Sequence, residues 1–528
     1  MAKELNINSI PKEKFALANL GNHIKDQKFE DKPIGYFKDA WRRFCKNKAS
    51  IVAAIIILAI VLFAIIVPFF DTGTGTQLDT YYAKKGPRNL LLSNIGIATG
   101  DVYKDVNERT FILEVAKGIG AKTDFESIPT IGSAIEEADH LQPVTSVQKI
   151  EQVQQGKNVN NIYYANIDEY LSVGFIYKQV SQTEYAKMKA WQEETGIQLL
   201  YPLVNDTDCF DTTDANWWFK TDSRGNPKMT NASGNTVVMK FDNALDIAVE
   251  DNYVRDAEGN LVYWKYQGGG DTIETAEYKV RILYYNYYRY IHGGAEPEYI
   301  FGTDSTGYDL AYRIAIGLRL SLLLSISIFA INFILGAMYG AVEGYYGGYT
   351  DLTMEFISYV LSGVPFMVVA TLFQLHLSNK VGSIPSLLFA FVMTGWIGTA
   401  SLVRTQFYRF KNQEYVMAAR TLGAKDARVI WKHIFPNTLG TIITSSVLAI
   451  PGVIFSESML SYLGIVDLGG AKSTSLGTLL SDASSIYTSV PHLMVFPALF
   501  ISLLMICFNL FGNGLRDAFN PSLRGTEE

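Results

Sequence analysis

Few residues in this 528-residue chain have the types and spacing to do chemistry. There are only six histidines, and neither the H-E-x-x-H motif of zinc metalloproteases nor the G-x-S-x-G nucleophile elbow of α/β-hydrolases occurs, which argues against a membrane-bound enzyme. Gly302-Thr303-Asp304-Ser305-Thr306-Gly307 has the wrong spacing for a nucleophile elbow. A nucleotide-binding loop needs G-x-x-x-x-G-K-[ST]. The nearest imitation, Gly469-Gly470-Ala471-Lys472-Ser473, has alanine where the second glycine must cradle phosphate. No catalytic residue, metal site or cofactor is therefore expected in this chain. Two features remain. Glu457, flanked by Ser456 and Ser458, is an acid within an apolar block. Residues 414–437, EYVMAARTLGAKDARVIWKHIFPN, are a polar, basic, helix-forming stretch between two apolar ones.

The elements that must position these features are membrane spans. Ile51–Phe70 carries no charge and is long enough to cross a hydrocarbon core of ~30 Å. It starts too late, and runs too long, for a signal-peptide core. Five further blocks follow, at 318–342, 352–375, 381–403, 438–463 and 493–511, making six spans. Trp41–Lys48 (WRRFCKNK) places residues 1–50 on the cytoplasmic side by the positive-inside rule. Alternation then puts residues 405–437 inside. There Arg409, Lys411, Arg420, Lys425, Arg428 and Lys432 face only Glu414 and Asp426. The tail 513–528, with Arg516 and Arg524, also falls inside. The turn Glu343–Asp351 is expected inside yet has no Lys or Arg, and so fits badly.

Between spans 1 and 2, residues 71–305 carry 21 Lys/Arg and 34 Asp/Glu, a net of −13 within a chain total of −7. This acidity gives no reason to expect nucleic acid. The segment is rich in Tyr and Trp, as in a folded domain and unlike a linker. Asn231–Phe241 and Val254–Tyr266 read as hairpins, and Ser181–Glu194 reads as a helix, so an α+β extracellular domain is expected. Cys45, Cys209 and Cys507 fall in three different regions and offer no disulfide framework. Asn205-Asp206-Thr207 and Asn231-Ala232-Ser233 are sequons too short to argue glycosylation.

Within 414–437, Gln413–Leu422 should form a helix and Gly423 a left-handed terminator. Asp426 should cap a second helix, Ala427–Ile434, running until Pro436. Read from its residues alone, this is either a solvated amphipathic loop or a compact knob that a partner approaches closely over Ala418 and Ala419.

The stretch resembles the coupling motif of ABC importer permeases, closest to the oligopeptide/dipeptide branch. The matching residues are Tyr415-Val416, Ala418-Ala419-Arg420, Leu422-Gly423-Ala424 and His433-Ile434-Phe435-Pro436-Asn437. Met417 stands where many such permeases carry Glu, and Glu414 is the nearest acid. Phe301–Leu322, Ile454–Ile465 and Gly512–Arg524 resemble other segments of the C-type subunit, with Tyr308 where Arg is usual. The resemblance covers the first ~70 residues and roughly 300–528, and omits the insert.

It implies a polytopic α-helical protein of the type I ABC importer permease fold, with the α+β domain inserted between spans 1 and 2. It implies half of a translocation pore for peptides, oligopeptides first, with dipeptides or a nickel chelate as alternatives in the same family. The implied partners are a second permease subunit, two cytoplasmic ATPase subunits that bind ATP and Mg, and an extracellular substrate-binding lipoprotein. Glu414, Ala418, Ala419, Arg420, Gly423, Lys425 and Asp426 would then meet an ATPase subunit. Gly336, Gly340 and Gly344 form a small-residue ridge for helix packing. Glu457 should face the bundle or a watery cavity, lining a pathway or pairing with a group such as Arg319. Pro365 and Pro451 interrupt spans 3 and 5 and allow bending. The insert reads as a docking platform, as a peptide-contacting domain gripping through Tyr284–Tyr290, or as a structural lid. A sensor with one extracellular domain is the rival from another class.

Overall fold

A computed structural model describes residues 36–519, apart from 71–76, 122–140, 156–157, 206–213, 223–227, 231–232, 234–235, 239–250, 269–275 and 471–472. Cys209, Arg524, most of the N-terminal segment and tail, the middle of the Gly469–Ser473 stretch and most of both sequons lie outside the described residues.

Among the described residues five helices are long and apolar enough to span a membrane: Lys48–Phe69, Leu310–Tyr346, Ser383–Phe410, Asp426–Tyr462 and His492–Phe519. They are spans 1, 2, 4, 5 and 6. In the place of the expected third span is the pair Gly348–Ser362 and Phe366–Val381, bent by 72° at a break that ends in Pro365, which is either a broken span or a re-entrant loop. Proline lacks an N–H and disfavours helix in the residue before it, which explains the break. The expected blocks differ at their ends. Span 4 begins at Ser383 and runs to Phe410, beyond Val403, and span 5 begins at Asp426, twelve residues before Thr438. Span 5 breaks at Leu448, just ahead of Pro451.

Both ends of span 1 and the start of span 2 have a physical stop. The Asn47 side chain accepts the Ser50 N–H at the start of span 1, and Asp309 accepts from Ala311 at the start of span 2. Arg319 reaches within 3.4 and 3.5 Å of the Ala64 and Ile65 carbonyl oxygens. These are carbonyls left without helical partners at the end of span 1. Spans 1, 2, 5 and 6 and the short helix Leu476–Ala483 share one apolar core, including Ile60, Ile314, Leu318, Ile454, Leu476 and Leu504.

Among the described residues the insert holds three antiparallel sheets, two of them larger than a hairpin. In the first, β1 (Asp101–Asn107), β2 (Val144–Gln155) and β3 (Asn158–Asp168) pair in the order β1-β3-β2. Helix Glu108–Ala121 packs on this sheet through Phe111, Val115 and Ile119. In the second, β4 (Phe175–Ser181) and β5 (Leu200–Tyr201) flank β9 (Glu277–Leu283), which also pairs with β8 (Trp264–Gly268). The helix expected at Ser181–Glu194 is present as Gln182–Thr195, capped by Ser181 and ended by Gly196 at φ +71°. The first expected hairpin, Asn231–Phe241, is displaced: its second strand is β7 (Thr236–Val238), but the partner is β6 (Lys228–Thr230), which precedes the expected segment. The second narrows to a single bridge, Arg255 to Leu261.

Tyr284–Ile291 is a helix, and Tyr284, Tyr285 and Tyr288 are buried in the core around Tyr82, Tyr170 and Tyr299. These three rings are consumed by packing, which leaves Tyr287 and Tyr290 as the half-buried rings of the run.

Spans 2 and 4 approach backbone to backbone. A Cβ at Gly336 would lie 2.7 Å from the Trp396 oxygen, and one at Gly344 would lie 2.8 Å from the Arg404 oxygen. One at Gly340 would collide with the Ala400 carbonyl. Gly398, on the same span 4, has open space at its Cβ. Gly340→Ala should therefore destabilise the protein by about 1–3 kcal/mol, whereas Gly398→Ala should leave its thermal unfolding in detergent unchanged or raised.

Candidate coupling site

The polar stretch folds as a helix, a tight turn and a second helix seated on the ends of spans 2 and 4. Helix Glu414–Thr421 ends where Gly423 takes φ +83°. The Ala424 N–H donates to the Ala419 oxygen and the Gly423 N–H to the Arg420 oxygen, at 3.0 and 2.9 Å. This double closure satisfies carbonyls that would otherwise be orphaned. A Cβ at Gly423 would meet nothing, so the glycine is required by its backbone angle and not by space.

The second half departs from expectation. Asp426 does not cap it. The N-cap is Lys425, and the Asp426 carboxylate accepts the Tyr345 hydroxyl at 2.6 Å. Nor does the helix end at Pro436. Asp426–Arg428 passes into a π-helical stretch, Val429–Ile434, and straight on into span 5. The wider π turn relieves the clash and missing donor that proline brings to a regular helix.

The knob has two faces. Val416, Val429, Ile430 and Ile434 are buried against Ala337, Ala341, Tyr345, Val403 and Phe407 of spans 2 and 4, and Ala419 is buried too. Glu414, Met417, Ala418, Arg420, Lys425 and Arg428 are exposed, and Leu422 at the turn is 89% exposed. The two alanines thus divide, Ala419 inward and Ala418 outward. Arg420 lies 4.9 Å from the Tyr345 ring, so Tyr345 receives a cation on its face while its hydroxyl holds Asp426.

Beside this contact is a charge cluster that sequence reasoning missed. Arg404 of span 4 makes a two-pronged pair with Asp351, its Nη2 at 2.8 Å, and a second with Glu355 at 2.9 Å through Nη1 and Nη2. Glu343 lies 3.4 Å from its Nε, and the Tyr408 hydroxyl donates to Asp351 at 2.7 Å. The Lys411 ammonium donates to the Gly344 oxygen at 3.0 Å. The signal was present in the sequence as the acidic turn Glu343–Asp351 with no basic residue of its own. Its counter-charges come from span 4, some 50 positions later.

The other expected site residues scatter. Glu457 is buried on span 5 and accepts from Ser321 at 2.8 Å and Ser461 at 3.2 Å, with Ser458 at 3.5 Å. It does not pair with Arg319, which caps span 1. Ser456 is half-buried beside it. Pro365 and Pro451 sit at the breaks of spans 3 and 5, away from the knob.

Residues 332–525 match the family model described as the binding-protein-dependent transport system inner membrane component. Residues 35–87 match the N-terminal TM domain of oligopeptide transport permease C. Oligopeptide transport system permease protein OppC of Bacillus subtilis is 40% identical over 225 residues, 42% of this chain and 72% of its own. The chain belongs to this permease family, in its oligopeptide/dipeptide C-type branch. Dipeptide transport system permease protein DppC of Bacillus subtilis is 42% identical over 226 residues, 42% of this chain and 69% of that protein. DppC of Lactococcus lactis is 33% identical over 267 residues, 50% of this chain and 73% of its own. A solved structure of the MetNI methionine ABC transporter overlaps 40% of this chain and 97% of its own at 14% identity, with a TM-score of 0.33, too loose to carry an argument. The permease therefore has the type I importer fold, and an α+β unit fills much of residues 88–331, which neither family model covers.

Gly423→Ala in this permease should strain the turn by about 1–2 kcal/mol. The expected result is faster amide exchange confined to residues 414–424, measured by hydrogen–deuterium exchange, with spans 2 and 4 unaffected.

Proposed function

We propose that this permease is one half of the pore of an ATP-driven peptide importer, with the Glu414–His433 knob as the seat of an ATPase subunit. The observation that carries the reading is the knob's division into two faces. Its inner face is continuous with the core of spans 2 and 4. Its outer face offers an exposed leucine, a small alanine and three cations to a partner. Such a piece moves as a rigid body with the spans it is packed on, so a partner that displaces it rocks those spans.

The chain supplies movement and a pathway, and its partners supply the reaction. ATP and Mg are bound by two cytoplasmic ATPase subunits. A second permease subunit completes the pore, and a substrate-binding lipoprotein delivers peptide from outside. Both termini and the knob face the cytoplasm, and the insert faces outward. The basic residues of Trp41–Lys48 and of the knob support this orientation. Oligopeptides are the proposed substrates, as in the name of the 40%-identical relative. Glu457 and its serines form a polar spot in the outer half of span 5 that a zwitterionic backbone meets on its way.

Ala418 tests the reading because it faces outward and touches no core. Ala418→Trp should leave insertion and thermal stability intact while lowering uptake of a peptide series by about tenfold or more, equivalent to at least 1.4 kcal/mol of lost coupling. Uptake at the wild-type rate, with ATPase subunits still co-purifying, would remove the knob from the mechanism.

A further inference from the structure

The loop joining Arg88 to Thr99 carries Leu90, Leu91, Leu92, Ile95 and Ile97, five aliphatic residues in eight. All five are exposed, Leu91 by 81% and Ile95 by 69%. Surface loops are ordinarily polar, and contiguous aliphatic exposure of this kind marks a contact surface. The loop is also built. The Asn89 side chain accepts the Leu91 and Leu92 N–H groups at 3.1 and 3.0 Å, and Glu298 accepts that of Leu90 at 2.8 Å. The Asn89 N–H reaches Ala98 and the Ile97 N–H reaches Leu92, closing the loop on itself.

Its height on the molecule says what covers it. Arg88 and Tyr299 exchange both backbone hydrogen bonds at 2.9 Å. Two residues on, Phe301 stacks on Phe496 of span 6 at 4.5 Å and lies 6.2 Å from Phe63 of span 1. Phe63 is six residues short of the end of span 1, about 9 Å along the helix. Phe301 is therefore at the depth of the apolar spans, and the Arg88–Tyr299 bridge is at most about 7 Å of chain above it. Ile300, between them, is exposed, as are Phe69 and Phe70 at the end of span 1. Residues 89–100 contain no charged side chain. A protein-docking patch usually has a polar, charged rim, whereas an uncharged aliphatic loop at this level matches the boundary between headgroups and acyl chains.

We propose that the loop Asn89–Ala98 is an interfacial anchor that lays Leu90, Leu91, Leu92, Ile95 and Ile97 into the lipid leaflet on the insert's side of the membrane. The anchor sets the insert's height and tilt over the pore. It does not depend on the substrate or on the knob's role.

The test uses the full-length chain with its partner subunits in phosphatidylcholine nanodiscs, with Cys45, Cys209 and Cys507 replaced. An environment-sensitive fluorophore is attached at Leu91→Cys, at Ile95→Cys and, as a control far along the insert, at Lys187→Cys. Quenching by nitroxide-labelled lipid should be about threefold or more stronger at 91 and 95 than at 187, with blue-shifted emission there. Equal lipid quenching at all three positions, with free access to aqueous iodide, would overturn the anchor. Shielding of 91 and 95 from both lipid and iodide would overturn it equally, by assigning the loop to a protein partner. Both labelled residues point outward, so the substitutions leave folding intact, and two positions guard against one misplaced probe.

Discussion

The close approach of spans 2 and 4 is the contact on which the rest of the membrane part depends. In lipid there is little hydrophobic gain in bringing two helices together, so association relies on packing and on polar groups that find partners. Gly336, Gly340 and Gly344 strip one face of span 2 to its backbone, and span 4 lies directly on it through Trp396, Ala400 and Arg404. That proximity is what lets Arg404 reach three acids on the neighbouring helices. It also brings Val403 and Phe407 beside Ala341 and Tyr345, forming the floor on which the knob sits. A wider spacing would pull Arg404 from its partners and open that floor at once.

The knob is held by two kinds of force with different tolerances. The buried aliphatic face is non-directional and fixes the knob to the floor wherever shape allows. The Tyr345 contacts are directional: its hydroxyl fixes Asp426 and its ring lies under Arg420. One residue thereby clamps both halves of the helix-turn-helix, on either side of Gly423. The passage into span 5 is unbroken, because the π-helical stretch absorbs Pro436. Displacement of the knob must accordingly move the adjoining end of span 5 with it.

What was legible in the sequence was local. Gly423 announces a positive φ by following a run of helix formers, and the glycine ridge announces a packing face by its spacing of four. Partners far apart in the chain were not legible. Glu457 looked like a match for Arg319, but serines on two helices meet it and Arg319 caps span 1. The acidic turn Glu343–Asp351 looked anomalous because its cations lie on span 4. At Tyr284–Tyr290 the tyrosine run read either as a gripping surface or as part of a structural lid. Three of those rings, being large and mostly apolar, fill the insert's core.

The insert's compatibility with a six-span bundle follows from how its two ends meet. The Lys84 N–H donates to the Asp304 oxygen, the Lys85 N–H to the Thr303 hydroxyl, and the Thr303 N–H back to Lys85. The Thr303 hydroxyl also donates to the Tyr82 oxygen. The chain leaves and returns through this one stalk, so the insert's sheets fold on it without separating spans 1 and 2. The stalk in turn rests on Arg313, which lies 3.4 Å from Asp304 and donates to the Gly470 oxygen. Arg313 is in the first turn of span 2, and Tyr345 is in its last. A single helix of 37 residues, about 55 Å long at 1.5 Å per residue, thus carries the insert's footing at one end and the knob's clamp at the other. Tilting that helix moves both, which makes span 2 the element through which events at the two membrane faces are mechanically joined.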